Sequence, residues 1–307
     1  MKILIFGSRG LVGSSLVRTF ESEKEYEVIG ANRDTANLFS FNETSKLIEE
    51  VLPDVVINAA AKVGGIVANN TNRTEFILEN LKININVLES LINHPEIRLI
   101  NLGSSCIYPL DALNPIDEDS LMTGPLEPTN SPYAMAKLTA IEIGNALKQQ
   151  YGHEIVNLMP TNLYGPNDNF SPTHSHVIPG LIYKMHKAKL NNDEVFKVWG
   201  TGKPLREFLY VDDLSDAIKF IVNNNVVEEV LNIGSGDEVT INQLVEILKD
   251  TISFKGEIVF DKRYPDGNPR KLLNSNKISN LGWKSSTDLE SGLEKTYSWF
   301  KENINIT

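Results

Sequence analysis

Five short runs rich in isoleucine and valine recur along the first half of the chain, each followed by a stretch long enough for a helix. They cover residues 2–6, 27–31, 55–59, 98–103 and 154–158. Apolar residues recur at helical spacing in two of the intervening stretches, 44–52 and 79–92. Strands that alternate with helices predict a parallel sheet covered on both faces. We therefore predict an α/β fold built on a Rossmann-like doubly wound parallel sheet.

The composition changes after Gly165. Residues 166–179 are rich in Pro, Asn, Ser and His, and short strand-like segments follow at 196–199, 206–210 and 257–260. This change predicts a smaller, discontinuous C-terminal α/β lobe. We place the Rossmann domain at residues 1–165, with residues from about 207 to 235 returning to it, and the smaller lobe at residues 166–206 and 236–307.

Composition and charge exclude several classes of protein. The 307 residues are 41% hydrophobic and 22% charged, as in an ordinary globular chain with an ample core. Gly7 interrupts the N-terminal apolar run after four residues, too few for a signal peptide, and one cysteine cannot form an intrachain disulfide. We therefore expect a cytoplasmic protein with no membrane segment. The net charge of −11 argues against a nucleic-acid partner, although it allows a local basic pocket for a small anion.

A glycine-rich turn follows the first run and opens the first predicted helix. Glycines let a backbone turn tightly and approach a pyrophosphate, and a helix N-terminus favours its negative charge. The spacing alone is a weak signal, since a purely structural turn has the same pattern. The candidate cofactor-binding residues of this turn are Gly7, Ser8, Arg9, Gly10, Leu11, Val12 and Gly13.

Arg33 follows the second run, where the ribose of a dinucleotide would lie. Arginine at this point suits the 2′-phosphate of NADP, whereas an acidic residue would suit the 2′-hydroxyl of NAD. Asp34 comes next in the sequence, so the charge of the site is mixed. We predict NADP(H) as the cofactor. The alternatives are NAD and an Arg33 that is only a solvated loop charge.

Tyr133 and Lys137 form a Tyr-x-x-x-Lys pair after the fourth run and its loop. Side chains four residues apart share a helix face, so we expect the ammonium to lower the pKa of the phenol, which can then protonate a carbonyl oxygen during reduction. Two other pairs have the same spacing, Tyr183 with Lys187 and Tyr297 with Lys301. Only the first lies near a strand end, where Ser104 also lies. An ordinary surface pair is the alternative.

Cys106 is the only cysteine of the chain and lies two residues after Ser104. A hydroxyl-based redox site needs no sulfur, so the thiol suggests proton chemistry beside hydride chemistry. The alternative is a free cysteine that fills a gap in the core.

Longer segments around these residues carry a specific resemblance. They are residues 59–70, 103–109, 160–166, 175–179 and 265–273. On them the chain resembles the extended short-chain dehydrogenase/reductase superfamily and, within it, the enzymes that make GDP-L-fucose. The resemblance implies NADPH-dependent conversion of GDP-4-keto-6-deoxy-D-mannose, a GDP-sugar bound in the smaller lobe, by inversion at C3 and C5 and then reduction of the C4 ketone. It also implies a homodimer, formed by helices over residues 79–92 and 134–149.

The resemblance implies roles for individual residues. The catalytic set would be Ser104, Cys106, Tyr133, Lys137 and His176, in which Cys106 and His176 are the acid and base of the inversions. Beyond the glycine-rich turn and Arg33, the cofactor would contact Leu38, Leu102, Gly103, Ser104, Lys137, Pro160, Thr161, Asn162, Leu163 and His176. The GDP-sugar would be bound by Lys184, Trp199, Arg206, Asp266 and Lys271.

Two positions depart from the pattern of these relatives. Lys184 stands where an arginine is common, which keeps the charge but loses the bidentate fork. Ser40 stands where an aspartate near the adenine is common. The first departure affects the expected strength of phosphate binding, and the second that of cofactor binding.

Several alternatives stay open. For three of the site residues the alternative is a purely structural role. In that case His176 only braces its loop, Trp199 is a core residue and Arg206 is a surface charge. We expect no metal, because His174 and His176 have no cysteines or carboxylates at ligand spacing. The other functions to consider are epimerisation or reduction of a different nucleotide sugar, such as a GDP-heptose, and a non-enzymatic NADP-sensing module.

Overall fold

The computed structural model describes residues 1–264 and 266–306. Pro265, the first residue of one resemblance segment, and Thr307, the last of the predicted smaller lobe, lie outside the described residues. The strands are β1 (Lys2–Phe6), β2 (Glu27–Ala31), β3 (Val55–Asn58), β4 (Arg98–Leu102), β5 (Ile155–Pro160), β6 (Asn162–Tyr164), β7 (Val195–Trp199), β8 (Leu205–Tyr210), β9 (Val230–Ile233), β10 (Glu238–Thr240), β11 (Glu257–Asp261) and β12 (Arg270–Lys271).

The helices join these strands. They are α1 (Leu11–Glu21), α2 (Phe41–Val51), α3 (Ile66–Thr71), α4 (Arg73–Ser90), α5 (Ser131–Tyr151), α6 (Val177–Leu190), α7 (Val211–Asn223), α8 (Ile241–Ile252), α9 (Asn276–Leu281) and α10 (Leu289–Asn303). Short 3-10 turns cover Ser105–Ile107 and Glu118–Ser120. No helix within residues 1–264 and 266–306 has both the length and the apolar character needed to cross a membrane.

Six strands form one parallel sheet in the order β2-β1-β3-β4-β5-β9. The chain passes from β1 outward to β2 and then returns to the other side of β1, so β1 and β3 flank the switch point where such sheets bind ligands. The predicted doubly wound parallel sheet is confirmed. The first two predicted runs coincide with β1 and β2, and the other three differ by one or two residues at their ends.

The sheet is apolar on both faces because helices cover both. Side chains alternate along β1, so Ile3 and Ile5 face one core and Leu4 and Phe6 face the other. Helices α1 and α7 complete the first core, and α2, α4 and α5 complete the second. The sheet and its covering helices thus form a rigid base beneath the strand ends.

Asparagines form a ladder across the carboxyl-terminal part of the sheet. Asn58 of β3, Asn101 of β4 and Asn157 of β5 are paired in the strand register. Asn58 donates a hydrogen bond to Asn101 (3.3 Å), and Asn101 donates one to Asn157 (3.0 Å). Asn58 also donates to Asn84 of α4 (3.3 Å), which in turn donates to the Ala136 carbonyl of α5 (3.4 Å). Buried amides are tolerated only when they are paired in this way.

The remaining strands build the C-terminal lobe around β8. This strand pairs antiparallel with β10 and parallel with β6 and β12, while β7 and β11 form a separate parallel pair. Apolar faces of α6, α8 and α10 form the core of the lobe. After β8 the chain returns to the main sheet, since α7 packs on α1 and β9 pairs with β5. The exact domain boundaries stay a prediction.

Candidate active site

The glycine-rich turn joins β1 to α1 at the carboxyl edge of the sheet. Gly7 has a φ of +79°, and a Cβ on it would lie 2.9 Å from the backbone of Ala59, so the turn requires glycine. Gly13 packs against the Gly7 carbonyl so closely that a Cβ would overlap it. No side chain caps α1 at Gly10, which leaves the helix N-terminus to a ligand. The turn fits the pyrophosphate of a dinucleotide.

The mixed charge at the end of β2 is organised by an ion pair. Arg9 of the turn donates to the Asp34 carboxylate at 2.5 Å, while Arg33 is exposed at the same strand end. Both members of the pair are exposed, so it is weak and an anionic ligand can compete for Arg9. Ser40 caps α2 by accepting the Glu43 N–H (3.4 Å), so serine at this departure has a local structural role.

The other predicted cofactor residues lie along the same edge. Leu102 ends β4 and Pro160 ends β5, and Gly103 and residues 161–163 follow these strands. Leu38 packs partly buried against the core on the α2 side. Carboxyl ends of parallel strands meet at one edge, so these residues share the edge with the glycine-rich turn. Their contacts with a cofactor stay a prediction.

Ser104 and Cys106 lie in the tight turn that follows β4. The Ser104 hydroxyl accepts the Cys106 N–H at 3.2 Å and so caps the 3-10 turn. The Cys106 thiol is free and only half-buried. Its partial exposure is a correction to the alternative that Cys106 merely fills the core.

Lys137 and Tyr133 lie near the start of α5. Lys137 is 2% exposed, and its ammonium donates to the Leu102 carbonyl at 2.7 Å. Burial lowers the Lys137 pKa to about 8. Burial also raises the pKa of the Tyr133 phenol above its ordinary value, an effect that the nearby Cys106 reinforces and a hydrogen bond with Ser104 opposes.

The expectation that Lys137 lowers the pKa of Tyr133 is wrong in this structure. The ammonium is turned toward Leu102 and lies 6.0 Å from the centre of the phenol ring. Tyr133 is partly exposed, yet burial of its phenol by the surrounding protein has the largest effect on its pKa and disfavours the ionised form. Tyr133 therefore keeps its proton at neutral pH, as a proton donor must.

The two other Tyr-x-x-x-Lys pairs lie in the C-terminal lobe. Tyr183 and Lys187 are on α6, where both line an open cavity of about 500 Å³. Tyr297 and Lys301 are on α10, where the phenol hydroxyl is bonded to a histidine of α6 at 2.9 Å. Neither pair is at the edge of the main sheet. Of the predicted site residues, only Lys184 lines the cavity, so the cavity is not the catalytic centre.

His176 ends the loop after β6 and precedes α6. The Gly65 N–H donates to the His174 carbonyl at 3.2 Å, which fixes the loop against the chain after β3. The imidazole is accessible, yet protein on its other sides lowers its pKa below the ordinary value. His176 is therefore neutral at neutral pH and able to accept a proton.

Gly64 and Gly65 position this loop, a role that the sequence analysis missed. A Cβ on Gly65 would lie 2.5 Å from the Ser175 carbonyl oxygen. A Cβ on Gly64 would lie 3.1 Å from Phe76, whose ring packs edge-on against Tyr133 at 6.5 Å. The two glycines thus let the loop that ends at His176 lie close to Phe76, the residue that packs against Tyr133. Consecutive glycines in a resemblance segment were the available signal, because such pairs mark a close backbone approach.

Arg206 and Lys271 are register partners on β8 and β12. Arg206 is half-buried, and burial lowers its pKa while the charges of Asp266 and Cys106 act in the opposite direction. The alternative that Arg206 is a plain surface charge is therefore wrong. Neighbouring like charges are unfavourable by themselves, so this pair is suited to an anion such as a diphosphate.

Asp266 braces the chain between β7 and β8. Its carboxylate accepts the Thr201 N–H (2.6 Å) and the Thr201 hydroxyl (2.7 Å), and these bonds lower its pKa. This bracing role was not expected from the sequence. A contact between Asp266 and the sugar stays a prediction.

Trp199 is 53% exposed, so the alternative of a core residue is wrong. Its ring is stacked on that of Tyr264, with centroids 4.4 Å apart and planes at 11°. The Lys184 ammonium lies 4.9 Å from the same ring. Tyr264 therefore covers one face of Trp199, a contact that was not expected from the sequence.

No group of three or more potential metal ligands among residues 1–264 and 266–306 is arranged to hold a metal ion. The candidate site therefore consists of a dinucleotide turn, a proton-transfer cluster around Tyr133 and Cys106, and a cationic strand pair beside an aromatic stack.

Comparisons with known proteins agree with this geometry. Residues 3–234 match the model of the NAD dependent epimerase/dehydratase family. The chain is 47% identical to Putative GDP-L-fucose synthase 2 of Arabidopsis thaliana, over 99% of this chain and 92% of that protein. It is 42% identical to the GDP-L-fucose synthase of Escherichia coli, over 98% of this chain and 97% of that protein. Among solved structures, a GDP-L-fucose synthetase from Naegleria fowleri bound to NADP is similar, with a TM-score of 0.89, 29% identity and coverage of 98% and 94%.

Proposed function

The chain belongs to the NAD dependent epimerase/dehydratase family, and on that premise we propose how it acts. It is an NADP-dependent oxidoreductase with epimerase activity that converts GDP-4-keto-6-deoxy-D-mannose into GDP-L-fucose, the product for which its relatives are named. The observation that carries the residue assignment is the position of Cys106, a half-buried residue in the 3-10 turn that packs against α5, the helix of Tyr133. Reduction alone requires the phenol but not the thiol.

The first stage inverts C3 and C5, which both adjoin the C4 ketone. Removal of either proton leaves an enolate with its charge on the C4 oxygen. Donors that are already in place stabilise such a charge most effectively. Ser104 follows β4, and Tyr133 lies on α5, which packs against the 3-10 turn after that strand, so the two side chains can supply two hydroxyl donors. We infer that both bind the C4 oxygen.

Inversion also needs a base on one face of the sugar and an acid on the other. Cys106 and His176 come from two different elements, the turn after β4 and the loop before α6. His176 is neutral and exposed, and Cys106 is half-buried rather than enclosed in the core. We propose that these two side chains remove and return the protons at C3 and C5.

The second stage reduces the C4 ketone. When bound, NADPH supplies the hydride. Gly7, Gly10 and Gly13 would hold its pyrophosphate, and Arg33 its 2′-phosphate. Tyr133, still protonated, gives its proton to the C4 oxygen as that oxygen becomes an alkoxide. Lys137 keeps a positive charge near the phenol through its bond to Leu102.

The GDP part of the substrate would lie along the C-terminal lobe. Arg206 and Lys271 would bind the diphosphate, since they are adjacent cations on neighbouring strands. Lys184 lies farther along this surface, beside Trp199. Because Lys184 contributes a single ammonium rather than a guanidinium fork, we propose that Arg206 is the main phosphate ligand.

We further propose that the protein is a homodimer of the cytoplasm. Helices α4 and α5 pack side by side, and their outer faces carry exposed Leu78, Ile85 and Met135. Exposed apolar residues on neighbouring helices favour burial against a second copy. The residues of domains 1–165 and 207–235 would hold the cofactor, and those of the smaller lobe the GDP-sugar.

One reaction in heavy water tests the assignment. GDP-4-keto-6-deoxy-D-mannose and NADPH should give GDP-L-fucose with deuterium at C3 and C5, as identified by NMR. Cys106→Ala and His176→Asn should lose deuterium uptake. His174→Asn is the matched control and should keep it, because the His174 ring is bonded to the Thr173 hydroxyl at 2.8 Å. A C4-reduced product without inversion would refute the function, and undiminished exchange in both variants would refute the roles of Cys106 and His176.

A further inference from the structure

Trp199 and Tyr264 form an exposed aromatic stack at the end of β7. The two rings are nearly parallel, with centroids 4.4 Å apart. Trp199 is 53% exposed and Tyr264 is 42% exposed. Large aromatic side chains that are left open to water side by side offer a ready surface for another flat, apolar group.

The stack is connected to the phosphate-binding cations. Asp266, two residues after Tyr264, is fixed to the end of β7 by the Thr201 N–H at 2.6 Å. The next residue, Gly267, lies against Arg206, since a Cβ on it would be 3.7 Å from the guanidinium. The aromatic stack and Arg206 therefore belong to one connected surface.

Lys184 approaches this surface from α6. Its ammonium lies 4.9 Å from the centre of the Trp199 ring, a distance typical of a cation–π contact. The indole is thus held between two neighbours, and its position does not depend on Tyr264 alone. A flat ligand can approach Trp199 only on the side that Tyr264 now covers or at the ring edge.

We propose that Tyr264 is a nucleobase-binding residue, and that the purine of the substrate inserts between Trp199 and Tyr264. The proposal rests on the proposed function, because it takes the substrate to be a nucleoside diphosphate sugar whose diphosphate lies on Arg206. Insertion requires Tyr264 to move outward by about one ring thickness, roughly 3.5 Å. Since Tyr264 is exposed, no buried contact has to open. Insertion breaks one stacked pair, Trp199 with Tyr264, and forms two, the purine with Trp199 and the purine with Tyr264.

A competing possibility gives the opposite result. In that alternative, Tyr264 only occupies the place of the base in the free protein and leaves when substrate binds. Removal of the phenol ring would then abolish a competitor and tighten nucleotide binding. Insertion predicts weaker binding after the same change, because the outer stacking partner is lost. The direction of the change in affinity decides between the two.

Calorimetric titration with GDP makes this comparison. We expect Tyr264→Ala to weaken GDP binding about 3- to 10-fold, the value of one aromatic pair, and Tyr264→Phe to keep wild-type affinity. The wild type should also prefer GDP to UDP, and this preference should shrink in Tyr264→Ala because the larger purine ring stacks more extensively. Unchanged or tighter GDP binding by Tyr264→Ala overturns the proposal.

Tyr151→Ala is the matched control. Tyr151 is similarly exposed and ends α5, about 27 Å along that helix from Tyr133. Its removal should leave GDP binding unchanged. Failure of the wild type to bind GDP at all would contradict the proposed function, whereas equal binding by the wild type and Tyr264→Ala would contradict only the role of Tyr264.

Discussion

Replacing Lys137 by methionine should stabilise the protein while it impairs reduction. Methionine keeps the unbranched shape but removes the charge. Lys137 is 2% exposed, and burial lowers its pKa from 10.5 to about 8. That difference means that the protonated ammonium destabilises the folded protein by about 3 kcal/mol relative to the unfolded chain. Loss of the bond to the Leu102 carbonyl offsets about 1 kcal/mol, so we expect Lys137→Met to gain about 2 kcal/mol at pH 7.

The pH dependence gives the sign of the effect independently. Between about pH 8 and 10.5 the unfolded chain binds more protons at this lysine than the folded protein does, so its folded state gains stability as pH rises. Below about pH 8 the full penalty is present. From pH 7 to 9.5 the wild type should therefore gain about 2 kcal/mol through Lys137, a gain that the variant lacks.

Urea unfolding at both pH values measures these differences. Exposed Lys24→Met serves as the control for loss of a lysine, and it should leave the difference between the two pH values as in the wild type. A Lys137→Met protein that is less stable at pH 7, or that keeps the wild-type pH dependence, would refute the reasoning. The ammonium would then be a net stabilising group and its burial would not govern its pKa.

Substitutions at two further positions, Gly65 and Glu207, give two more tests. Gly65→Ala would place a Cβ 2.5 Å from the Ser175 carbonyl oxygen, so it should displace His176 and lower deuterium exchange at least about 10-fold, with NADPH affinity in fluorescence titration unchanged; normal exchange would show that the glycine does not position the loop. Glu207 is 0% exposed and accepts the N–H groups of Gly236 (2.9 Å) and Leu273 (3.2 Å). Glu207→Ala should cost about 3 kcal/mol in urea unfolding and Glu207→Gln clearly less, and equal stability of both variants with the wild type would contradict the assigned role.

The main sheet could be predicted because its strands are apolar on both faces. Val55 and Ile57 face one core and Val56 faces the other, so the run itself reveals a covered strand. The short strands β6, β10 and β12 had no such signal. They have two or three residues each and are held by pairing with β8 rather than by their own composition.

The candidate site could be located because Ser104 and Cys106 follow a predicted strand end, and the roles of these residues stay a prediction. The turn that contains Ser104 packs against α5, which carries Tyr133, so the structure brings these two elements together. The direction of the Lys137 ammonium could not be predicted, since spacing on a helix does not tell whether a long side chain turns to a phenol or to a strand carbonyl. The covering of Trp199 by Tyr264 was equally inaccessible, because the two rings are 65 residues apart in sequence.

The asparagine ladder beneath the site has a consequence for how the sheet assembles. Aligned strands place Asn58 and Asn157 on either side of Asn101. If β4 slipped by one residue, Ile100 or Leu102 would stand between the two outer amides, and these would lose their partners inside an apolar layer. Apolar strands of similar composition can pair in several registers, but only one register gives each asparagine amide its hydrogen-bond partner. The asparagine ladder therefore selects a single strand register. By doing so it fixes the relative positions of the strand ends before any ligand binds.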